Sequence, residues 1–297
     1  EIVQGDWSSD VCSSDLSEVL EFDHLVVALG SSTSDFGVPG VAEYGMGMKS
    51  VNEAINIRAN VMRRFEDLCR FEDDTRLSIA VVGGGPTGVE LAGALAEMKK
   101  AILQKDYPDL DISKMEINLI QSSDRILNTM SEKSSAASEA FLTGLGVKVW
   151  KNLRVTNYDG RTVTTNSDLT FETATVIWTA GVQGAAIRGL KAEALLEKVE
   201  RIRVNEFNQV KGYEDIFAIG DIALMETPDY PQGHPMMAQP AIQQGQLLGD
   251  NLIKLIGGRI MSPFQYHDKG SMATIGRNLA VVDLPKYHFN EIGRAHV

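Results

Sequence analysis

Residues 77–88 read LSIAVVGGGPTG, and this stretch decides the fold. Its first six residues are largely apolar and rich in β-branched side chains, which predicts a buried strand. Gly83, Gly85 and Gly88 then match the pattern G-x-G-x-x-G, and residues 89–100 favour a helix. A strand, a glycine turn and a helix in this order indicate a dinucleotide-binding unit, because the helix N-terminus attracts a pyrophosphate.

The three glycines of this turn have different roles in such a unit. Gly83 permits the tight turn, Gly85 lets the backbone approach the pyrophosphate, and Gly88 lets the helix pack closely on the strand. Glycine-rich turns are common, so the pattern alone is weak evidence. Here a predicted strand directly precedes it and a predicted helix directly follows, which favours dinucleotide binding over a bare turn.

The residue that ends the next predicted strand bears on the choice between NADH and NADPH. An acidic residue at this place would bind the ribose hydroxyls of NAD. This chain has Gln121 there, after INLI at 117–120. An amide can hydrogen-bond to ribose, but it does not repel a 2′-phosphate as a carboxylate does. We expect Gln121 to contact NAD(H) and NADPH to be tolerated; the alternative is a solvated strand end.

Strand and helix signals alternate on both sides of the turn, which predicts a parallel, doubly wound sheet. Short runs of apolar residues indicate further strands at 25–30, 116–120, 147–150, 163–165, 174–178 and 215–220. Amphipathic spacing predicts helices at 51–71 and 241–256. The sequence after the second helix reads as irregular.

The composition excludes several classes of protein. The 297 residues, 43% of them apolar and 23% charged, predict about two globular domains. A net charge of −12 without a basic cluster argues against a nucleic-acid partner. Two cysteines cannot form a disulfide framework, no apolar run is long enough to span a membrane, and no metal site is expected.

Six stretches together resemble one family, the type II NADH:quinone oxidoreductases, within the flavoproteins that have two dinucleotide-binding domains. The combination spans nearly all of residues 17–290 and is far more specific than a glycine turn alone. The stretches are HLVVALGSSTSDFGVPGVAEY (24–44), GGGPTGVELAGALAE (83–97), VIWTAGV (176–182), DIFAIGD (215–221), MAQPAIQQG (237–245) and DKGSMATIGRN (268–278).

The resemblance implies an α/β fold with two dinucleotide-binding (Rossmann-like) domains, in which the NAD domain is inserted in a truncated FAD domain. Residues 17–72 would hold part of the FAD domain and a connecting helix. Residues 73–184 would form the NAD(H)-binding domain. Residues 185–290 would continue the FAD domain and contain the quinone-site segment.

The resemblance also assigns residues that bind cofactors. The expected contacts of NAD(H) are Gly83, Gly84, Gly85, Pro86, Thr87, Gly88 and Gln121. The other expected cofactor contacts, FAD included, are Ala28, Gly30, Gly181, Gly220, Asp221, Ala238 and Lys269. Asp221 would accept a hydrogen bond from the ribityl chain of FAD, and Lys269 would contact the flavin. The alternatives are an aspartate that stabilises a turn or caps a helix, and a solvated lysine.

Three residues are implied to take part in catalysis. Glu90 would lie near the nicotinamide and the flavin. Gln239 and Gln243 are four residues apart, so on a helix they would share a face and present their amides to a quinone. The alternatives are a carboxylate stabilised by the helix dipole and an ordinary polar helix face.

The implied activity is transfer of a hydride from NADH to FAD and of two electrons to a membrane quinone, without proton pumping. The intact parent enzyme is implied to be cytoplasmic and peripheral on the inner face of the plasma membrane, which it would contact through a C-terminal part, and a homodimer is one option for its assembly. Two alternatives are a reductase of ferredoxin, rubredoxin or a disulfide, and an NAD-binding sensor without turnover. AQPAIQQ (238–244) argues against ferredoxin and rubredoxin, and Cys69 alone is a poor basis for a disulfide reductase.

The two ends of the chain, 1–16 and 291–297, look like artefacts of sequence assembly. With the codons GAC GTG TGC TCT TCC GAT CTC for DVCSSDL (10–16), the complementary strand encodes EIGRAHV, which is the tail. The longer run DWSSDVCSSDL (6–16) resembles a translated sequencing adaptor. We therefore expect a fragment that lacks the family's first FAD-binding glycine motif and its C-terminal membrane-binding helices.

Overall fold

The computed structural model describes residues 19–70, 77–106, 112–196, 198–285 and 287–290. These residues form two compact units. The first contains the described residues up to Ser32 together with Val182–Asp268, and the second contains Thr33–Gly181 and the described residues from Lys269 onward. The larger segment of the second unit, Thr33–Gly181, is thus inserted in the first unit along the chain, and its smaller segment follows the first unit. The suspected artefacts at 1–16 and 291–297 lie outside the described residues.

The helices and strands alternate through much of the chain. The α-helices are α1 (Val41–Tyr44), α2 (Val51–Arg70), α3 (Pro86–Met98), α4 (Gln104–Asp106), α5 (Glu132–Gly144) and α6 (Ala238–Ile256). The strands are β1 (Leu25–Val27), β2 (Ser31–Thr33), β3 (Met46–Gly47), β4 (Leu77–Val82), β5 (Met115–Ile120), β6 (Val147–Trp150), β7 (Val155–Tyr158), β8 (Thr162–Thr165), β9 (Thr170–Glu172), β10 (Thr175–Trp178), β11 (Val182–Gly184), β12 (Leu195–Leu196), β13 (Arg201–Arg203), β14 (Ile216–Ala218), β15 (Ala223–Leu224), β16 (Ser271–Ile275), β17 (Leu279–Leu284) and β18 (Tyr287–Asn290). Shorter helical turns are the π-helix Lys99–Leu103 and the 3₁₀ turns Ile112–Lys114, Ala192–Ala194 and Gly220–Ile222.

The second unit is built on a five-stranded parallel sheet in the order β3-β10-β4-β5-β6. The register aligns Val82 with Ile120 and with Trp178, and it aligns Ile120 with Trp150. The carboxyl ends of these four strands therefore meet at one edge of the sheet. The predicted α/β class with a parallel sheet is confirmed.

The two faces of this sheet pack against different partners. Ile79 and Val81 of β4 belong to a core shared with α2, α3 and α5. Ala80 and Val82 of the same strand belong to a second core, shared with the antiparallel sheet β7-β8-β9. Successive side chains of a strand point to opposite faces, and here both faces are covered. This explains why the strand reads as a nearly continuous apolar run.

Helix α3 packs closely on the antiparallel sheet β16-β17-β18. A methyl group added to Gly93 would lie 2.6 Å from the backbone nitrogen of Gly276. One turn further along, the Glu97 carboxylate accepts a hydrogen bond of 2.8 Å from the backbone N–H of Arg277. A glycine is therefore required where the helix meets the turn between β16 and β17.

The first unit contains a short parallel pair, β1 with β14, in which Val27 is aligned with Ala218. A second sheet has the order β12-β13-β15. The core of the first unit is formed by buried aliphatic side chains from both sheets and from the residues around them. Among them are Val27, Ile202 and Ile216. The carboxyl ends of β1 and β14 lie side by side. These two strands correspond to the apolar runs predicted at 25–30 and 215–220, each of which ends in glycine.

The structure corrects the predicted elements in two places. Residues 132–144 form α5, which the sequence prediction missed because serines occupy most of its buried positions. Residues 271–290 form an antiparallel sheet instead of an irregular segment. In β16, buried Ala273 and Ile275 alternate with exposed Met272 and Thr274, and so short an alternation is a weak signal.

The compact units also divide the chain differently from the predicted domain bounds. Residues 269–290 were expected in the FAD domain, but they pack on α3 and α5 in the second unit. Residues 33–70 were expected with the FAD domain as well, and they lie in the second unit because α2 covers one face of its sheet.

We predict that Gly93→Ala lowers the free energy of unfolding by about 1–3 kcal/mol, because the added methyl group overpacks the contact with Gly276. The matched control is Gly249→Ala in α6, where nothing lies within 4 Å of an added methyl group. That change should stabilise the protein by about 0.5–1 kcal/mol, since alanine favours a helix interior. Urea denaturation of both variants measures the difference, and equal effects would contradict the close contact.

Candidate functional site

Two of the three motif glycines are required by the packing of the chain itself. Gly83 has φ +115°, and a methyl group there would lie 2.6 Å from the backbone nitrogen of Ala180. A methyl group on Gly88 would lie 1.8 Å from the carbonyl oxygen of Gly83. These glycines therefore allow the turn between β4 and α3 to close and the helix to approach the strand.

The remaining motif glycine, Gly85, is not explained by internal packing. Its backbone is extended, with φ −74° and ψ −178°, and nothing lies within 4 Å of an added methyl group. Gly85 is the N-cap of α3, no side chain caps the helix, and Pro86 occupies its first turn. The open space in front of an uncapped helix N-terminus fits an anionic group such as a pyrophosphate.

A cavity of about 440 Å³ adjoins the glycine turn at the carboxyl edge of the parallel sheet. Open α/β sheets bind their ligands at this edge. The lining residues follow four strands of the sheet or come from the segment after β2: Phe36, Val38, Val82, Gly83, Ile120, Gln121, Ser122, Leu153, Arg154, Val155, Trp178 and Ala180. The walls are largely apolar, with a few polar groups at the ends of the strands, as in many sites for small molecules.

Gln121 lies in the cavity wall and contacts the glycine turn. Its Oε1 accepts a hydrogen bond of 2.7 Å from the backbone N–H of Gly84, and its Nε2 donates to Ser123 Oγ at 2.5 Å. The backbone N–H of Gln121 extends the sheet by donating to Trp150 O at 2.8 Å. The side chain is thus half-buried and held by two partners, which differs from a freely solvated strand end.

The other sequence-predicted residues of the second unit lie at several places. Thr87 is exposed in the first turn of α3. Glu90, one turn further, accepts a 3.3 Å hydrogen bond from the backbone N–H of Thr274. Gly181 has φ +94°, and a methyl group there would strike the ring of Phe36. Lys269 is exposed two residues before β16 begins.

In the first unit, the ends of β1 and β14 bring a second set of predicted residues together. Ser31 Oγ donates a hydrogen bond of 2.6 Å to Asp221 Oδ2. Gly30 and Gly220 have φ of +73° and +72°, so both turns use conformations that favour glycine. Ala28 directly follows β1. A methyl group on Gly30 would meet nothing within 4 Å, so the turn is open on this side.

Helix α6 carries four predicted or newly found residues at its N-terminal end. Gln243 pairs with the backbone of His267: its Nε2 donates to His267 O, and its Oε1 accepts from His267 N, both at 2.9 Å. Gln239 Oε1 lies 3.5 Å from the hydroxyl of Tyr266, and Ala238 is exposed at the start of the helix. Gln244, which the sequence prediction overlooked, is 2% exposed and accepts a 2.7 Å hydrogen bond from Gly220 N.

The first unit also contains a buried pair of basic residues that the sequence did not indicate. Arg201 donates to the carbonyl oxygens of Ala223 and His234, the latter at 3.2 Å. Burial lowers the pKa of Arg201, and the negative charge of Asp221 offsets part of this effect. His234 is 4% exposed, and neither ring nitrogen has a hydrogen-bond partner among the described residues.

His234 is enclosed by aromatic rings. Its ring centroid lies 4.7 Å from that of Tyr230, 5.4 Å from that of Phe264 and 5.5 Å from that of Tyr266. Burial, and to a smaller extent the positive charge of Arg201, lowers the pKa of His234. Both effects therefore favour the neutral imidazole over the charged one. Single histidines and aromatics dispersed between 230 and 266 give no periodic signal from which this cluster could be predicted.

The parallel sheet, the glycine turn and the cavity at the strand ends define a nucleotide-binding α/β protein. The chain belongs to the pyridine nucleotide-disulphide oxidoreductase family, whose model matches residues 4–245. The predicted fold class is confirmed, and so is the wider oxidoreductase family within which the six sequence stretches place the chain.

Individual relatives show which members of this family the chain resembles. The chain is 34% identical over 283 residues to the type II NADH:quinone oxidoreductase Ndh of Mycobacterium tuberculosis, covering 91% of this chain and 60% of that protein. It is 30% identical over 267 residues to the type II NADH:quinone oxidoreductase of Staphylococcus epidermidis strain ATCC 12228, covering 88% and 65%. The chain thus spans about three fifths of the length of such curated relatives.

Solved structures agree on the fold. NDH2 from Plasmodium falciparum, in complex with NADH, superimposes with a TM-score of 0.83 at 21% identity, covering 93% of this chain and 72% of that one. A ferredoxin reductase from Rhodopseudomonas palustris superimposes with a TM-score of 0.64 at 18% identity, covering 91% and 60%. Within the described ranges of this chain, no helix is both long and apolar enough to cross a membrane.

We predict that Gly85→Ala leaves the free energy of unfolding within about 0.5 kcal/mol of the wild type, because the added methyl group meets nothing in the chain. It should still weaken ADP-ribose binding about tenfold or more, since the methyl group would fill the space for the pyrophosphate. Gly88→Ala is the matched comparison and should instead destabilise the fold by about 1–3 kcal/mol. Calorimetric titration and urea denaturation of both variants test this; unchanged ADP-ribose affinity in Gly85→Ala would contradict it.

We predict that acidification destabilises the first unit through His234. The folded-state pKa of His234 lies below its usual 6.5, so the unfolded chain takes up a proton first as the pH falls. Stability is therefore retained above about pH 6.5 and lost between that pH and the lower folded-state pKa. His234→Phe should remove this part of the pH dependence in urea denaturation. The control His267→Asn, at an exposed position, should retain it; identical pH profiles in both variants would refute the assignment.

Proposed function

We propose that this protein oxidises NADH through bound FAD and passes two electrons to a membrane quinone, without pumping protons. The observation that carries the proposal is the open glycine turn at Gly85, which borders a cavity at the carboxyl edge of a parallel sheet. Relatives at 30–34% identity that bear the name type II NADH:quinone oxidoreductase support the choice of reaction.

The second unit would bind the dinucleotide. Gly83, Gly84, Gly85, Pro86, Thr87 and Gly88 would surround the pyrophosphate. Backbone N–H groups at the start of α3 would donate to its oxygens, and the positive end of the helix dipole would stabilise its charge. Gln121 would lie beside the ribose, held in place by Gly84 and Ser123.

The first unit would bind FAD at the ends of β1 and β14. Bound FAD supplies a hydride acceptor and a two-electron donor, which amino-acid side chains lack. Asp221 would accept a hydrogen bond from the ribityl chain while Ser31 keeps its carboxylate in place. Ala28, Gly30 and Gly220 leave the backbone accessible there. Ala238, Gly181 and Lys269 are proposed as further cofactor contacts, and Glu90 as a residue close to the nicotinamide.

Helix α6 would supply the quinone-binding groups. Gln239 is half-buried at the helix start, and its amide lies beside the Tyr266 hydroxyl, which makes it the better placed of the two predicted glutamines. Gln243 would act mainly by fixing the backbone of His267, since both ends of its amide are bonded there. Gln244 would hold the Gly220 turn against the helix.

We further propose that the enzyme is cytoplasmic and binds peripherally to the inner face of the plasma membrane, where it meets its quinone. A homodimer is compatible with this arrangement. The rival reductases of ferredoxin, rubredoxin or a disulfide share the fold, as the likeness to the ferredoxin reductase illustrates. The quinone reaction is preferred because the curated relatives cited above are named for it.

The decisive experiment is reconstitution with FAD of the protein expressed from its complete gene, followed by NADH oxidation with and without a quinone. We expect flavin absorbance to be retained and oxidation to depend on the quinone. Asp221→Ala should weaken FAD binding about tenfold or more, because a hydrogen bond to a charged group is lost. The control Asp229→Ala changes the same charge at an exposed position and should bind FAD normally. NADH oxidation that proceeds with ferredoxin and not with a quinone would favour the rival.

A further inference from the structure

The cavity beside the glycine turn has an unusual balance of charge for a site that binds NADH. Arg154 is the one charged side chain among the residues that line it. The position where a carboxylate would bind the ribose hydroxyls is occupied by Gln121, which is neutral. The cavity wall therefore attracts an additional negative group on the nucleotide and lacks the charge that would repel one.

Both ends of the Gln121 amide are bonded within the chain. A ribose bound in the cavity would therefore meet polar groups of the residues next to Gln121. Its amide oxygen accepts from Gly84 N at 2.7 Å, and its amide nitrogen donates to Ser123 Oγ at 2.5 Å. The side chain is thus fixed against the glycine turn. Ser122, the next residue, is exposed and also lines the cavity, so its hydroxyl is available to a polar ligand.

Arg154 is positioned by its backbone and has an exposed side chain. Its N–H donates to Asn166 Oδ1, and its carbonyl oxygen accepts from Asn166 N, both at 2.8 Å. Among the described residues, the ion pairs found join other partners, and none includes Arg154. A guanidinium that lines a nucleotide cavity without a carboxylate partner is suited to bind a phosphate through two parallel hydrogen bonds.

We propose that this cavity accepts the 2′-phosphate of an NADPH-type dinucleotide, and that Arg154, assisted by Ser122, binds that phosphate. The proposal rests on the dinucleotide site proposed above and specifies its ligand. A phosphate monoester carries close to two negative charges at neutral pH, so the guanidinium discriminates strongly between ligands with and without it.

The test measures binding to the full chain, independently of flavin or quinone, with ADP-ribose and 2′-phospho-ADP-ribose as probes in calorimetric titrations. We expect the wild type to bind both. Arg154→Gln should weaken binding of 2′-phospho-ADP-ribose about tenfold or more and change ADP-ribose binding less than about twofold. Gln121→Glu should also weaken binding of 2′-phospho-ADP-ribose by repulsion, and it should retain or strengthen ADP-ribose binding, because a carboxylate can bind the ribose hydroxyls. The control Arg161→Gln removes an equal charge from an exposed residue outside the cavity and should change neither affinity.

The outcomes separate this inference from the function on which it rests. If the wild type binds ADP-ribose but not 2′-phospho-ADP-ribose, the inference is overturned and the proposed dinucleotide site stands. Equal losses for both probes in Arg154→Gln would also overturn it, because Arg154 would then contact a part that both ligands share. Failure of the wild type to bind either probe would refute the dinucleotide site itself, and the inference with it.

Discussion

The parallel pairing of β10, β4, β5 and β6 fixes where the loops that line the proposed nucleotide site begin. The hydrogen-bond ladder continues one residue beyond each strand: Gly83 N donates to Ile120 O, Gln121 N to Trp150 O and Thr179 N to Val82 O, each at 2.8 Å. The first residues of three loops are therefore as rigidly placed as the strands. A site built on such extensions needs little further ordering when a ligand binds.

The glycine motif combines two physical requirements that look identical in sequence. Gly83 and Gly88 are needed by the chain itself, since side chains there would collide with Ala180 and with the carbonyl of Gly83. Gly85 has room for a side chain and an ordinary backbone conformation. Its glycine makes sense as space reserved for a ligand. The structure thus separates the part of the motif that folds the turn from the part that leaves space for the proposed ligand.

The sequence predicts those elements whose burial produces a strong pattern. β4 matched its prediction because both faces of its sheet are covered, and the crossover helix α3 follows a glycine turn with a known geometry. Helix α5 gave no such pattern. Three of its four buried residues are serines, and their hydroxyls bond to Asp283, to Ile126 O and to the backbone one turn earlier. Burial satisfied by long-range hydrogen bonds cannot be read from local periodicity.

The glutamines of α6 are a second case in which the sequence pattern does not reveal the contacts of individual polar residues. Gln239, Gln243 and Gln244 are chemically identical, and the family resemblance, together with the helix face that they share, selected the first two. The third is the buried one, and it bonds to Gly220 next to the Asp221 turn. One segment thus contains an amide that bonds to the turn at Gly220, an amide that fixes a neighbouring loop and an amide that lies beside the Tyr266 hydroxyl. A motif locates a site, but the partners of each amide decide which residue meets the ligand.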